Sequence, residues 1–565
     1  MLPLVSIVIG EVRGDQGSNT PQADDRSAGR PTRPARYPVL LALLLTGLAG
    51  AADLVLTCRA PLVTSDSASY LSAAENLVSD KGLTTAFNDS TSAYHPVQVI
   101  GFHAQVPFAH FGPLYPLALA AFEATGLSGL GSARLVGLLA LIAIVPLLFA
   151  LAVRALDGCL PLVVACVLIA VVGPSGPGFV SGNLLELSGT VLSEPLFYAT
   201  LLGTLLSCSI YMEMRLNRYL AAAILLGTCA TLTRYVGVSL ALACGVALLS
   251  SSRLPYRQRM LAGLGMVAGG LIALLGWPLV DAWLSGGSAP RQLAFHLHPG
   301  VLGQLLATTE MWFFPSGGPT WFIAPATIGL LAIAAIVPLT GHHLGLVRSG
   351  PPDLSPNGRS LLRLLALFTL SYLVVVVGSS ICLDASLSLD QRVLGPIQVT
   401  TYLVLISLLY WSLRSCLHSL PRRRQIWAVR AAALLLILPI VPAAVSQLRH
   451  PFLSPQPTAA MIALSRLPAD EVVVTNEPSG VFVYAHRGSV LTPVSDYVTT
   501  GEPNPDFETD LSYVGRLLRQ QPGVVAFFPE PFQPSLVTVA QLEQSDGLTV
   551  TRRFADGTLF LSVKD

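Results

Sequence analysis

The sequence predicts a polytopic α-helical membrane protein, and three observations carry that prediction. Hydrophobic residues make up 52% of the 565-residue chain and charged residues only 12%. With a mean hydropathy of +0.63, it is too apolar for a soluble globular protein of this length. Apolar runs of membrane-crossing length recur along most of the chain. Arginines fall in alternate connections between these runs, so the net charge of +1 reflects sidedness across a membrane and points to no nucleic-acid partner.

Residues 1–36 are rich in Gly, Pro, Asp, Arg and Ser and read as a disordered cytoplasmic tail. The apolar Met1–Ile9 run has no basic flank before it, so a cleaved signal peptide is not expected. The first span, about Tyr37–Thr57, follows Arg30, Arg33 and Arg36, which hold its start inside by the positive-inside rule. The first outer loop, residues 58–130, is then extracytoplasmic.

Later spans are expected at about 131–153, 158–175, 191–212, 219–234, 236–251, 260–284, 319–340, 361–382, 393–414 and 426–447, giving about eleven helices. Arg154, Arg215, Arg218, Arg253, Arg257, Arg259, Arg348, Arg359, Arg363, Arg414 and Arg422–Arg424 all land on the cytoplasmic side of that alternation. The pair 219–234 and 236–251 is the sensitive point, because one bent helix there would invert everything downstream. Residues 37–447 are thus read as a membrane domain of an integral plasma (inner) membrane protein, with the amino terminus inside.

After about Gln447 the composition becomes that of a soluble domain. Residues 448–565 are expected to form an extracytoplasmic α/β unit. Ala459–Arg466 and Asp510–Gln520 read as helices, Glu471–Asn476 and Val524–Phe528 as buried strands, and Asp556-Gly557 as a turn between Thr551–Phe554 and Leu559–Val563.

The stretch Thr64–Pro116 is the longest polar-bearing interruption in the apolar chain. In it, Asp66 opens a segment whose apolar residues Tyr70, Leu71, Ala74, Leu77 and Val78 recur at helical spacing. That spacing predicts an amphipathic helix on the outer membrane surface, with the Asp66 carboxylate facing out of the lipid; a helix cap is the plainer reading of this aspartate. Glu194 opens the fourth span in Val-Leu-Ser-Glu-Pro-Leu-Phe, and an ionisable group there calls for a partner or a polar cavity. Arg234, in Thr-Leu-Thr-Arg-Tyr-Val-Gly, sits at the outer end of its span, against the usual bias. Asp390-Gln391-Arg392 repeats the theme before Val-Leu-Gly-Pro. A guanidinium fork suits a phosphate, and a structural ion pair with Glu194 or Asp390 is the alternative for each arginine. His95, His103, His110, His296 and His298 fall in outer loops without metal-ligand spacing, and the scattered cysteines show none either. Phe111-Gly112-Pro113-Leu114-Tyr115-Pro116 reads as a turn into a helix.

Taken in order, Asp-Ser-Ala-Ser-Tyr-Leu-Ser-Ala-Ala-Glu-Asn-Leu from Asp66, Gly-Pro-Leu-Tyr-Pro-Leu-Ala-Leu, Leu-Ser-Glu-Pro-Leu-Phe, Leu-Thr-Arg-Tyr-Val-Gly and Gln-Arg-Val-Leu-Gly-Pro resemble the GT-C superfamily of membrane glycosyltransferases. The likeness is to bacterial members of the protein-mannosyltransferase and lipid A aminoarabinose transferase type. It implies the GT-C fold, with interfacial helices in the first outer loop. It also implies transfer of a sugar from a polyprenyl-phosphate donor, with inversion, to a cell-envelope glycan, lipid or protein. In that reading Asp66 is the base, Glu194 the second carboxylate, and Arg234 and Arg392 the donor-phosphate partners. Tyr70, His95, His110, Tyr115 and Asp390 are further substrate-binding candidates. Many members carry two adjacent acidic residues at the first motif, whereas Asp66 is flanked by Ser65 and Ser67. A divalent metal is therefore not supported, and no cofactor is expected. Where some members place a lysine before the proline-rich turn, this chain has His110. The alternatives are a transporter or flippase of a lipid-linked or anionic substrate, and an inactive envelope-assembly protein. The first would call for two related halves with charges at mid-membrane, and the second does not need so many spans.

Overall fold

A computed structural model describes residues 36–87, 106–108, 110–173, 182–285, 295, 300–313, 355–384, 387–418, 420–452, 456–497, 502–529 and 536–563. The expected tail before residue 36, His95, His103, His296, His298, Arg348 and the expected span at 319–340 lie outside them.

Helix α1 (Arg36–Leu56) is followed by α2 (Ser65–Val78). Two-residue strands β1 (Thr84–Thr85) and β2 (Val106–Pro107) then pair antiparallel before α3 (Leu114–Glu123). The bundle continues with α4 (Gly129–Ala155), α5 (Leu160–Val172), the short α6 (Leu184–Ser188), α7 (Glu194–Met214), α8 (Asn217–Thr233), α9 (Val238–Leu249) and α10 (Tyr256–Ser285). It closes with α11 (Gly300–Phe313), α12 (Pro356–Cys382), α13 (Gln391–Cys416), α14 (Arg422–Ile437) and α15 (Ile440–Arg449). Among the described residues seven helical stretches are long and apolar enough to cross a membrane. The chain is a helical membrane protein. The run expected at 426–447 lies within one of these stretches, Arg422–Arg449, which carries a turn at Leu438-Pro439, where proline withholds a backbone donor.

Helix α7 is the centre of the bundle and is buried along most of its length, with α4 and α8 packed on it. Helices α1, α10, α12 and α14 instead expose leucines such as Leu44, Leu264, Leu370 and Leu434, the surface that acyl chains accept. Lipid is as apolar as leucine, so helices associate mainly through close packing. On α10, Gly263 lies against Leu249 and Gly270 against Ala241, whereas Gly265 lies against Ile224 and Gly269 against Thr228. The contacts therefore run opposite to α9 and along α8. The pair 219–234 and 236–251 is two antiparallel helices, not one bent helix. The break is at Arg234, whose backbone is extended (φ −147°, ψ 129°), and the 3-10 turn Tyr235–Gly237 folds back against Ala230.

The two ends of the bundle differ in chemistry. At one, Arg154 pairs with Glu213, Asn357 donates to Glu213, Arg253 donates to Asn357, and Arg414 lies 3.6 Å from Asp157. The arginine-bearing ends of α4, α7, α12 and α13 therefore meet. At the other end lie α2, the starts of α7 and α13, and the end of α8.

Beyond α15 come α16 (Ala459–Ser465), β3 (Val472–Thr475), β4 (Val490–Leu491), α17 (Phe507–Gln520), β5 (Gly523–Phe527), α18 (Val539–Asp546), β6 (Leu548–Arg553) and β7 (Leu559–Val563). They build a five-stranded sheet of order β4-β3-β5-β7-β6, parallel among the first three strands and antiparallel after. Val472–Thr475 is wholly buried, as an unbroken apolar run in a central parallel strand must be. Between β6 and β7, Gly557 takes φ 87° in the turn that Asp556 precedes.

This sheet unit packs on α2 through residues 478–485, and the Phe482 ring lies 5.4 Å from that of Phe87. The apolar spacing of α2 predicts a helix lying on the membrane surface; in the structure nearly every residue from Ser67 to Asn76 is buried. The reason is that α3 and α4 contact it together with residues 478–485. Its small serines and alanines admit close neighbours on the face that hydropathy assigns to water.

Candidate functional site

Four charged side chains from four elements meet at the end of the bundle that carries α2. Asp66 Oδ2 lies 2.7 Å from Arg392 Nη1, and Arg392 Nε lies 3.4 Å from Glu194 Oε1. The same Glu194 oxygen lies 2.5 Å from Arg234 Nη1. The order along the chain of ion pairs is Asp66, Arg392, Glu194, Arg234. The Glu194 side chain is 3% exposed, while Asp66, Arg392 and Arg234 keep 26%, 25% and 22% of their surface. Glu194 Oε2 is buried with no hydrogen-bond partner among the described residues.

Each member is placed by local chemistry. Helix α2 is capped by Thr64: its hydroxyl accepts the Ser67 N–H, and the Ser67 hydroxyl accepts the Thr64 N–H. The plainer reading of Asp66 as a cap is thereby corrected. Asp66 stands in the first turn with its carboxylate committed to Arg392, while the helix N-terminus still favours its charge. Burial pushes the Asp66 carboxyl up, but Arg392 and its hydrogen bond, with Arg234 and His110, outweigh burial and hold it below its usual value. Glu194 begins α7 with Pro195 next to it, a position where the missing N–H costs no helical bond.

Arg392 is in the first turn of α13, whose cap is Asp390: its Oδ1 accepts the Val393 N–H at 2.8 Å. Asp390 thus does the work of a cap and adds negative charge beside Arg392. Pro396 has no N–H to offer the Arg392 carbonyl, and the Tyr372 hydroxyl donates to the neighbouring Val393 carbonyl at 2.7 Å. Arg234 ends α8 in extended conformation, which turns its side chain away from the helix path.

The segment between α6 and α7 is stitched to the start of the chain. Ser188 Oγ donates to Asp53 Oδ1 at 2.8 Å, the Leu62 N–H donates to the Gly189 carbonyl, the Val191 N–H donates to the Leu62 carbonyl, and Ser67 Oγ donates to the Val191 carbonyl at 2.7 Å. The Tyr70 hydroxyl lies 3.0 Å from Ser193 Oγ. These contacts fix the spacing between Asp66 and Glu194. Tyr70 is 2% and Tyr115 1% exposed, and their rings meet edge-on at 4.9 Å, so both form the packed wall of the site. Phe111 adds to that wall, with His110 edge-on to it at 4.7 Å. Gly112 lies directly on the Leu232 carbonyl, and the Tyr235 hydroxyl donates to the Phe111 carbonyl at 3.3 Å. The loop before α3 is thereby joined to the end of α8 that presents Arg234.

Asp66, Glu194, Arg234 and Arg392 are therefore brought together, with Tyr70, Tyr115, His110 and Asp390 around them; His95 is outside the described residues. Sequence reasoning missed Ser193, Thr64 and the buried Asp53. Ser193 stood beside Glu194 in the quoted motif, and Thr64 three residues before Ser67 had the spacing of a cap. Among the described residues no group of three or more His, Cys, Asp or Glu side chains is arranged to hold a metal. Two partly exposed guanidiniums and two carboxylates in one cluster are the groups that phosphate binding, proton acceptance and stabilisation of positive charge on a sugar ring require.

No protein-family model matches the sequence, and no curated protein matches it. Among solved structures, the chain is similar to ArnT from Cupriavidus metallidurans bound to undecaprenyl phosphate, at 13% identity and a TM-score of 0.51, over 92% of this chain and 98% of that one. It is also similar to an oligosaccharyltransferase from Archaeoglobus fulgidus, at 13% identity and a TM-score of 0.45, over 86% of this chain and 68% of that one. The arabinofuranosyltransferase AftD from Mycobacteria is similar at 13% identity and a TM-score of 0.48, over 93% of this chain and 42% of that one. The chain has the fold of the GT-C membrane glycosyltransferases.

Proposed function

We propose that this protein is a glycosyltransferase that moves a sugar from a polyprenyl-phosphate donor to a hydroxyl of a cell-envelope glycan, lipid or protein. The observation that carries the reading is the single chain of ion pairs from Asp66 through Arg392 and Glu194 to Arg234. The fold shared with ArnT, solved bound to undecaprenyl phosphate, supports the same donor class. We read residues 37–447 as the catalytic membrane domain and 448–565 as an extracytoplasmic α/β domain roofing α2. The arginine-rich end faces the cytoplasm by the positive-inside rule, which puts the site at the outer face of the inner membrane.

In the reaction, the acceptor oxygen attacks the anomeric carbon from the side opposite the phosphate. The acceptor proton passes to the Asp66 carboxylate. The bond from the anomeric carbon to the phosphate oxygen breaks, its electron pair staying on the lipid phosphate, and the product is inverted. Arg392 and Arg234 stabilise the charge that grows on the phosphate. Glu194, whose buried Oε2 has no hydrogen-bond partner among the described residues, adds negative charge that favours an oxocarbenium-like ring.

The test is donor consumption by the purified protein with polyprenyl-phosphate sugars. Asp66→Asn should lower turnover by about 10²- to 10⁴-fold, the usual worth of a positioned base, without changing the melting profile by more than the loss of one partly exposed ion pair. Undiminished turnover would remove Asp66 from the mechanism.

A further inference from the structure

We infer that Arg392 changes partner during the reaction, from the Asp66 carboxylate to the donor phosphate, so that arrival of the phosphate frees the base. The inference rests on the donor class proposed above. Two guanidiniums and two carboxylates cancel in the chain of ion pairs, and Asp390 adds a further negative charge beside Arg392. Neither guanidinium of this cluster is left over for an incoming anion. A phosphate can therefore be held well only if one carboxylate gives way.

Geometry selects which one. Glu194 is 3% exposed and takes both arginines on a single oxygen, so releasing it would strand a buried charge. Asp66 is 26% exposed, has one arginine, and can be solvated when that arginine leaves. The Arg392 fork is also divided. Its Nη1 holds Asp66 while its Nε faces Glu194, so Nη1 can move to a phosphate oxygen without the guanidinium leaving Glu194. Glu194 is the pivot and Asp66 the exchanging partner.

The exchange links the base to the leaving group. With Nη1 on the phosphate, the Asp66 oxygen is free to take the acceptor proton as the acceptor oxygen bonds to the anomeric carbon. The phosphate then gains a second negative charge as its bond to that carbon breaks. At that stage Asp66 is neutral and no longer competes for Arg392, just when the phosphate holds it most strongly. Loss of the lipid phosphate and of the Asp66 proton restores the starting pair.

Binding of undecaprenyl phosphate to the full-length protein tests this, with undecaprenol as the control that lacks the phosphate. Asp66→Asn should bind the phosphate about 5-fold or more tightly than wild type, since a competing partner of a partly exposed guanidinium is gone. Asp390→Asn keeps the helix cap and removes the same charge without vacating Nη1; it should change affinity less than about 2-fold at moderate salt. In an Arg392→Gln background, Asp66→Asn should have no effect. Equal tightening by the two asparagine variants, or tightening that survives Arg392→Gln, would overturn the exchange while leaving the donor class intact. Undecaprenyl phosphate binding no better than undecaprenol would overturn the donor class and the exchange with it.

Discussion

Arg392 Nη1 lies 2.7 Å from Asp66 Oδ2 although 326 residues separate them in the chain. This pair sets the acidity of the proposed base. Burial raises the Asp66 carboxyl, and Arg392, Arg234 and His110 together bring it below its usual value. A base must start ionised, and while Arg392 holds it Asp66 stays charged down to a pH below the ordinary carboxylate range. The same lowered value means that the pair adds stability above the unfolded-state carboxylate value and loses it as pH falls through the folded one. Arg392→Gln removes the foremost opposing cause, and the titration of Asp66 should move upward. Modification of Asp66 by a water-soluble carbodiimide, followed across pH by peptide mass spectrometry, reads this without needing activity. An unchanged profile in Arg392→Gln would mean that the pair does not govern Asp66 in the folded protein.

Glu194 should matter most for holding the site together. It is the most buried of the four charges and the one that both arginines face. Glu194→Gln leaves two guanidiniums without their shared carboxylate, which should cost about 3 kcal/mol of stability and lower the melting temperature. The double change Glu194→Gln with Arg234→Gln should recover part of that loss, because one stranded charge is removed with its partner. Additive losses in a thermal-melt cycle would show that the two side chains are not coupled.

The membrane architecture was legible because its signals are local. Apolar runs gave seven helical stretches of membrane-crossing length among the described residues, and Arg154, Arg253 and Arg414 lie together at one end of the bundle. The position of Arg234 at a helix break was visible for the same reason. What the chain could not reveal was convergence, since Asp66 and Arg392 meet only where α2 is tied to residues 191–193 and the Arg392 side chain reaches it from the start of α13. Hydropathy also missed how far the protein covers α2. Ser67, Ser69 and Ser72 look like a solvated face, yet Ser67 donates to the Val191 carbonyl and Ser72 accepts the Ala86 N–H, both buried contacts that a polarity scale counts as water-facing. The Asp66 cap reading failed because Thr64 and Ser67 form a reciprocal cap two residues earlier.

Gly112 offers a test of how the loop before α3 supports the site. A methyl group there would fall on the Leu232 carbonyl, close to Thr233 and the Arg234 bend. Backbone cannot yield as a side chain end can, so Gly112→Ala should separate the loop from α8 at a cost of about 1–3 kcal/mol. Donor consumption should fall with it, since Arg234 loses its support. Wild-type turnover in Gly112→Ala would show that the loop and Arg234 are independent.

Tyr70 allows the polar and apolar parts of the wall to be separated. Its hydroxyl meets Ser193 at 3.0 Å, while its ring packs against Phe111 and Tyr115. Tyr70→Phe keeps the ring and should cost only about 1 kcal/mol and a few-fold in turnover. Tyr70→Ala removes the ring as well, and a cost of about 3–5 kcal/mol is expected from the cavity. Equal melting temperatures for the two variants would show that the hydroxyl, not the ring, holds the wall.

The α/β unit should be coupled to the site through Phe482. Its ring meets Phe87 at 5.4 Å, and Phe87 in turn bridges to Ser489, so the turn after β3 is held to the segment that follows α2. Phe482→Ala leaves the sheet core of Val472, Val474, Val525 and Leu561 untouched, because those side chains form a separate cluster. The expected result is a folded sheet less firmly seated on α2, with faster proteolysis in residues 478–490 and lower turnover. The loss in turnover follows because α2 carries Asp66 and is buried partly by this contact. Unaltered proteolysis and turnover would show that the bundle alone holds α2 in place.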